Sequence, residues 1–190
     1  MSDEIYEKLI YGRTRFVSFA SLSEDAYKRT LTLNGFSKAF AMTGFRIGYA
    51  CGPVDLIEAM MKIHQYSMLC ASSIAQAAAI EALQNGQGPR EDMRREYEQR
   101  RNVIVKRLNE IGLPCFMPRG AFYVFPRISS TGLDSATFAK RLLQEKHVAV
   151  VPGTAFGSCG EGFVRCSYAT SLEEIEIAMT RIQELVSSVS

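Results

Sequence analysis

Three observations predict an α/β chain. Apolar residues recur at helical spacing between residues 54 and 111, short β-type runs closed by glycine or proline precede them, and the second half alternates strand-like with helix-like segments. A length of 190 residues suits one large domain or two small ones, and it is enough to bury a proper core.

Taken in order, "RTLTLN" (29–34) alternates and predicts a strand that Gly35 breaks. "RIGYAC" (46–51) predicts another, closed by Gly52-Pro53. Residues 54–84 then carry a helical pattern, with Leu56, Ile57, Met60, Met61 and Ile63 on a broad face. Its later part, 71–83, is the most apolar stretch of the chain. It includes Ser72, Ser73, Gln76 and Glu81, so it predicts a buried helix and not a membrane span. "QNGQGP" (84–89) punctuates the pattern. A second helix follows, with Met93, Tyr97, Ile104, Leu108 and Ile111 in phase. "GLPCFMPRGAFYVFPRI" (112–128) predicts short strands about a turn at Arg119-Gly120. Next come a helix over 135–145, strands at "HVAVVPG" (147–153) and "GFVRCSYA" (162–169), and an amphipathic helix over 171–187. The punctuation near 86–90 is the best internal boundary, giving domains 1–88 and 89–190.

Composition excludes several functions. A net charge of +2 gives no argument for nucleic acid. The basic run "RREYEQRR" (94–101) alternates with Glu96 and Glu98 and predicts a solvated helix face. Five cysteines, an odd number with no CxxC, predict reduced thiols in a cytosol-type compartment. The opening residues "MSDEIYEKLI" lack the basic and apolar regions of a signal peptide. His64 and His147, the only histidines, argue against a histidine-based zinc site or a Ser-His-Asp triad. No metal site is expected.

"LNGFSKAFAMTGFRIGYACGP" (33–53) places one lysine, Lys38, among apolar and small residues. Burial disfavours an ammonium and lowers a lysine pKa, which makes a nucleophile towards aldehydes and a proton shuttle. The competing reading is a lysine at a loop end whose stem lies on apolar surface and whose head reaches water. Composition alone favours the second.

The spacing changes that balance. "SKAFAMTGFRIGY" puts Arg46 eight residues after Lys38. This pattern resembles the pyridoxal-phosphate lysine motif of the fold-type I, class I and II aminotransferases. The resemblance implies that Lys38 is the Schiff-base lysine and that Arg46 binds the cofactor phosphate, for which a planar guanidinium is suited. Ser37 beside the lysine would help to position the cofactor. "SDEIYEKLIY" (2–11) resembles the family's D-x-x-Y segment. It implies that Asp3 pairs with the pyridine nitrogen and that Tyr6 bonds the phenolic oxygen. Residues three apart in a regular strand face opposite sides, so both can reach one ring only if the chain leaves the strand between them. "GFVRCSYATS" resembles the late strand whose arginine binds the substrate α-carboxylate, implying that role for Arg165. An arginine in an apolar strand needs a partner; a structural ion pair is the other reading. "PRGAFYVFP" and "VVPGTAFG" resemble parts of the family's small domain.

The resemblance covers essentially the whole chain, in order, but only the C-terminal half of the family's usual length. It implies the end of the large domain's central sheet with a helix, followed by a small α/β domain. The wording of the lysine motif is most similar to the aspartate and aromatic aminotransferase branch. The implied activity is transfer of an amino group between an L-amino acid and a 2-oxo acid by a cytoplasmic homodimer. The family's phosphate loop, its stacking ring and the asparagine beside the phenolic oxygen precede the D-x-x-Y segment, so the chain is expected to be inactive alone. Two alternatives remain: another fold-type I reaction such as β-elimination or aminocyclopropane carboxylate formation, and a non-catalytic dimerisation domain. A short-chain dehydrogenase is disfavoured, because no tyrosine is followed by lysine four residues on.

Overall fold

The computed structural model describes residues 1–189; Ser190, the end of the expected second domain, lies outside the described residues. The chain divides into two compact units, Met1–Arg94 and Arg95–Ser190. The division falls within a helix, six residues beyond the expected boundary at 88. No helix among the described residues is long and apolar enough to cross a membrane.

The first unit contains a three-stranded sheet of β1 (Ser2–Asp3), β2 (Thr32–Gly35) and β3 (Gly48–Cys51), in that order. β1 runs parallel to β2, with Asp3 opposite Leu33, and β3 runs antiparallel to β2, with Gly35 opposite Gly48. That last pair is glycine for a steric reason: a Cβ on Gly48 would lie 2.9 Å from the Asn34 carbonyl oxygen. Helix α1 (Glu24–Arg29) lies in the β1–β2 crossover. It buries nothing and depends on local chemistry. Ser23 Oγ accepts from the Ala26 N–H, acids open the helix, bases close it, and Glu24–Lys28 and Asp25–Arg29 pair one turn apart. It takes Arg29, the first residue of the strand expected over 29–34, and the strand that forms is Thr32–Gly35.

The long helical pattern over 54–84 is two helices, α2 (Val54–Ser67) and α3 (Ser73–Asn85). The chain breaks at Leu69, whose φ is 63°. α2 buries no residue at all. α3 buries Ala75 and Ala79, while Ile74, Ile80 and Leu83 stay exposed, so the buried helix expected over 71–83 is buried on one narrow stripe. Ala79 joins Phe36 and Met42 in a small apolar cluster.

Helix α4 (Gln87–Glu110) spans the division. The second unit adds β4 (Tyr123–Val124), α5 (Ser135–Lys146), β5 (Val151–Pro152), β6 (Val164–Ser167) and α6 (Leu172–Val189). Its sheet has the order β4-β6-β5 and is antiparallel throughout. Ile104 and Leu108 of α4, Phe138 and Leu142 of α5, and Ile175, Met179 and Leu185 of α6 close on Val124, Val164 and Cys166 in one core. α5 ends where His147 adopts a left-handed conformation, φ 55°. The strand expected over 147–153 is therefore reduced to two residues. The basic run is only partly solvated, since Arg101 is 8% exposed and its Nη1 donates to the Pro118 carbonyl at 3.1 Å.

Candidate active site

One end of the first sheet gathers most of the residues singled out by sequence. β1 and β2 are parallel, so the residues just after each emerge at the same end; β3 is antiparallel, so the residues just before it emerge there too. Asp3 closes β1 and Tyr6 follows it. Ser37 and Lys38 follow β2, and Arg46 precedes β3. Carboxyl ends of parallel strands are the usual place for ligands in α/β sheets.

The chain leaves β1 directly after Asp3. Its Oδ1 accepts from the Ile5 N–H at 3.2 Å, and the Leu9 N–H donates to the Tyr6 carbonyl at 2.9 Å. The turn lets Asp3 and Tyr6 escape the opposed faces of a strand. Tyr6 is half-buried, and Lys38 Nζ lies 5.9 Å from the centroid of its ring. The amine thus sits over an aromatic face.

The 36–47 connection is built on inward anchors. Phe36, Ala39 and Met42 are buried, and Ser37 and Lys38 stand between them, half-buried. The Phe40 and Met42 N–H groups both donate to the Phe36 carbonyl, and Thr43 Oγ1 donates to the Ser37 carbonyl at 3.2 Å. The apolar neighbours of Lys38 in sequence therefore enclose the cluster beneath it, and the amine is not sealed within them. Arg46 is exposed, with φ 53° and ψ 46°, and its Nη1 donates to the Thr43 carbonyl at 2.8 Å. A left-handed arginine costs roughly 1 kcal/mol, and this one turns the chain into β3.

One residue inside the motif escaped sequence reading. Glu4, between Asp3 and Tyr6, is 7% exposed. Its Oε1 accepts from Ser2 Oγ at 3.0 Å, Ser18 Oγ at 2.9 Å and the Phe19 N–H at 3.0 Å. It ties the 18–21 turn to β1. Nothing in its sequence neighbourhood separates it from the exposed Asp3. Tyr49, also missed, has its phenol pushed upward by burial first and then by Glu7. Its ring lies 6.2 Å from that of Phe36.

Arg165 belongs to the second unit. It is half-buried on β6 between buried Val164 and Cys166. Among the described residues its partners are rings and not carboxylates: Cζ lies 4.5 Å from the Tyr123 ring centroid and 4.7 Å from that of Phe156. The structural ion pair weighed from sequence is not what holds it.

The end of the first sheet thus offers an amine, a phenol, a carboxylate and a guanidinium, and the second unit separately offers a guanidinium held by rings. Residues 1–182 match the model of the family described as aminotransferase class I and II. A putative aminotransferase, YugH, of Bacillus subtilis is 51% identical over 186 residues, covering 98% of this chain and 48% of that protein. An aspartate aminotransferase of Pyrococcus abyssi is 49% identical, with 98% of this chain and 48% of the relative covered. A crystal structure of an aromatic aminotransferase from Pyrococcus horikoshii superimposes with a TM-score of 0.95 at 49% identity, over 98% of this chain and 50% of that one. The chain spans about half the length of the curated relatives it matches. Matched by that model over residues 1–182, it belongs to the class I and II aminotransferase family.

Proposed function

We propose that the protein containing this chain is a pyridoxal-phosphate-dependent aminotransferase, moving an amino group between an L-amino acid of the aspartate or aromatic kind and a 2-oxo acid. The observation that carries this reading is the convergence of Asp3, Tyr6, Ser37, Lys38 and Arg46 at one end of one sheet, from three separate segments. That donor set fits the cofactor: an amine for its aldehyde, a carboxylate for its ring nitrogen, a phenol for its phenolic oxygen and a guanidinium for its phosphate. When bound, pyridoxal phosphate supplies the electron sink that makes the substrate Cα–H acidic.

The chain's own residues do the rest. Lys38 carries the cofactor and then moves the proton from the substrate Cα. Asp3 holds a proton on the ring nitrogen by its negative charge. Tyr6 orients the phenolic oxygen, and its ring supports the Lys38 amine. Arg46 and Ser37 anchor the phosphate. Arg165 receives the substrate α-carboxylate. The whole enzyme is a cytoplasmic homodimer on this reading. The relatives are about twice as long, and α2 lays out apolar residues that nothing in its own unit buries. The 190-residue chain on its own therefore associates, binds the cofactor weakly and does not turn over.

Two experiments test this. In the full-length enzyme, Lys38→Ala should abolish both transamination and borohydride-trapped cofactor; label retained at another lysine refutes the assignment. Incubated alone with pyridoxal phosphate, L-aspartate and 2-oxoglutarate, the 190-residue chain should give no steady turnover. Turnover that vanishes with Lys38→Ala would show an isolated half that is competent. Product identity separates amino transfer from elimination.

A further inference from the structure

β6 buries Val164 and Cys166 on one face, so Arg165 and Ser167 project from the other. β4 is registered with Tyr123 opposite Ser167 and Val124 opposite Cys166. Tyr123 is thus the diagonal neighbour of Arg165 on that outward face. The same register, continued to the Arg127–Phe163 bridge, sets Phe125 directly across from Arg165. A third ring, Phe156, comes from the turn Gly153–Phe156 and meets Phe125 edge-on at 5.3 Å.

Phe156 is 51% exposed, so burial does not hold it in place. The backbone beneath it does. The Gly153 N–H donates to the Phe163 carbonyl at 2.8 Å, tying the turn to the residue before β6. Gly153 and Gly160 approach so closely that a Cβ on either would overlap the carbonyl oxygen of the other. Only two glycines allow that closure. The segment is therefore pinned at its base, with Phe156 aimed at Arg165.

We propose that Tyr123 and Phe156 are positioning residues that hold the Arg165 guanidinium for a carboxylate ligand; this rests on the reading of Arg165 as the carboxylate-binding group. Ring faces attract the cation but offer nothing to its in-plane N–H donors. A carboxylate of the chain itself would fix the arginine equally well and would occupy those donors. Two rings fix it and leave its fork for one planar anion, which arginine matches with paired hydrogen bonds. The geometry also explains why β6 tolerates an arginine that has no acidic partner among the described residues.

The test uses the 190-residue chain, side-chain NMR of Arg165 and 3-phenylpropanoate, a carboxylate that cannot condense with an amine. Loss of a signal in Arg165→Lys assigns the Arg165 Nε–H. In the native chain the rings should shift that proton away from its ordinary position. Phe156→Leu should return it there and weaken the probe about fivefold or more. Tyr123→Leu should do the same, whereas Phe156→Tyr and Tyr123→Phe should keep both properties. Unchanged methyl signals from Leu142 and Ile128 establish that each variant is folded. Native affinity in both leucine variants, or weakened binding with the Nε–H unmoved, overturns the positioning role and leaves Arg165 as the ligand. Native affinity in Arg165→Lys overturns the carboxylate reading itself, and the positioning role with it.

Discussion

The two units solve the problem of burial differently. In Arg95–Ser190, three helices contribute apolar stripes to one core, and Leu108, Leu142, Ile128 and Leu185 are fully enclosed. In Met1–Arg94, the cluster around Phe36 and Met42 is small, α3 buries two alanines and α2 buries nothing. Ile63 is 72% exposed and Tyr66 is 93% exposed. Helices are stabilised mainly by the face they bury. The second unit therefore has the makings of a self-sufficient domain, whereas the first presents apolar surface suited to burial against more protein. The candidate cofactor residues sit on the less self-sufficient unit.

The largest test of this contrast is a pair of substitutions. Leu142→Ala opens a cavity in a sealed core and should cost about 2–5 kcal/mol in urea unfolding followed by circular dichroism. Ile63→Lys on α2 should change stability by no more than about 0.5 kcal/mol, while reducing self-association in sedimentation velocity. Equal losses from the two would mean that α2 is covered within this chain, and the contrast would collapse.

What the sequence made legible follows the same division. Helices α4, α5 and α6 were readable because their apolar stripes match a core that exists within the chain. The break between α2 and α3 was not, because residues 68–72 contain neither glycine nor proline and the left-handed residue is a leucine. The strand at 147–153 was overread because histidine took the helix-ending role usually filled by glycine. Lys38, Arg46, Asp3, Tyr6 and Arg165 were legible as motif residues, and the convergence of the first four at one sheet end needed strand directions that composition does not encode. Glu4 and the rings around Arg165 carry no local signal. Their roles depend on partners 14 residues away in the first case and 42 and 9 in the second.

Thiols sharpen the contrast at a smaller scale. Cys51 and Cys70 of the first unit and Cys159 of the second are exposed, whereas Cys115 and Cys166 lie in the second core. Burial pushes the Cys115 thiol up from 9.0 to about 11, partly offset by a backbone hydrogen bond from Phe125, and pushes Cys166 up to about 12. A thiol reagent at mildly alkaline pH should therefore modify three cysteines in the native chain and the other two only on unfolding. The sign of the pH effect follows. A raised folded pKa means that the unfolded chain loses its proton first. This contribution is complete below pH 9 and is lost as pH climbs toward 11 and 12. The decline is about 1.4 kcal/mol per pH unit for each such thiol. Comparing native chain with a Cys115→Ala/Cys166→Ala variant isolates it. Parallel stability curves over that window would show that the two thiols are not shielded.

The smallest effect concerns how the second unit begins α5. Asp134 Oδ1 accepts from the Thr137 N–H at 2.8 Å, and Oδ2 accepts from Thr137 Oγ1 at 2.6 Å. Glu161, from the turn before β6, reaches the same helix end; its carboxylate accepts from the Ser135 N–H at 2.8 Å and from Ser135 Oγ at 3.0 Å. Both carboxyls are held below their ordinary range, Asp134 chiefly by the Thr137 hydroxyl and Glu161 chiefly by the Ser135 N–H. The free N–H groups of a helix start favour anions there, and that attraction outweighs the repulsion Asp134 exerts on Glu161. A depressed folded pKa gives stability that is present above the unfolded value and lost as pH falls through the folded one. Acid should therefore weaken the Arg95–Ser190 unit through these two groups. An Asp134→Asn/Glu161→Gln variant keeps acceptor oxygens but removes the charges. Its stability at neutral pH should drop slightly, and its loss on acidification should be shallower than that of the native chain. Unfolding midpoints followed from pH 7 down to pH 3 decide the matter, and an acid slope identical to the native one would mean that these carboxylates cap α5 by geometry alone.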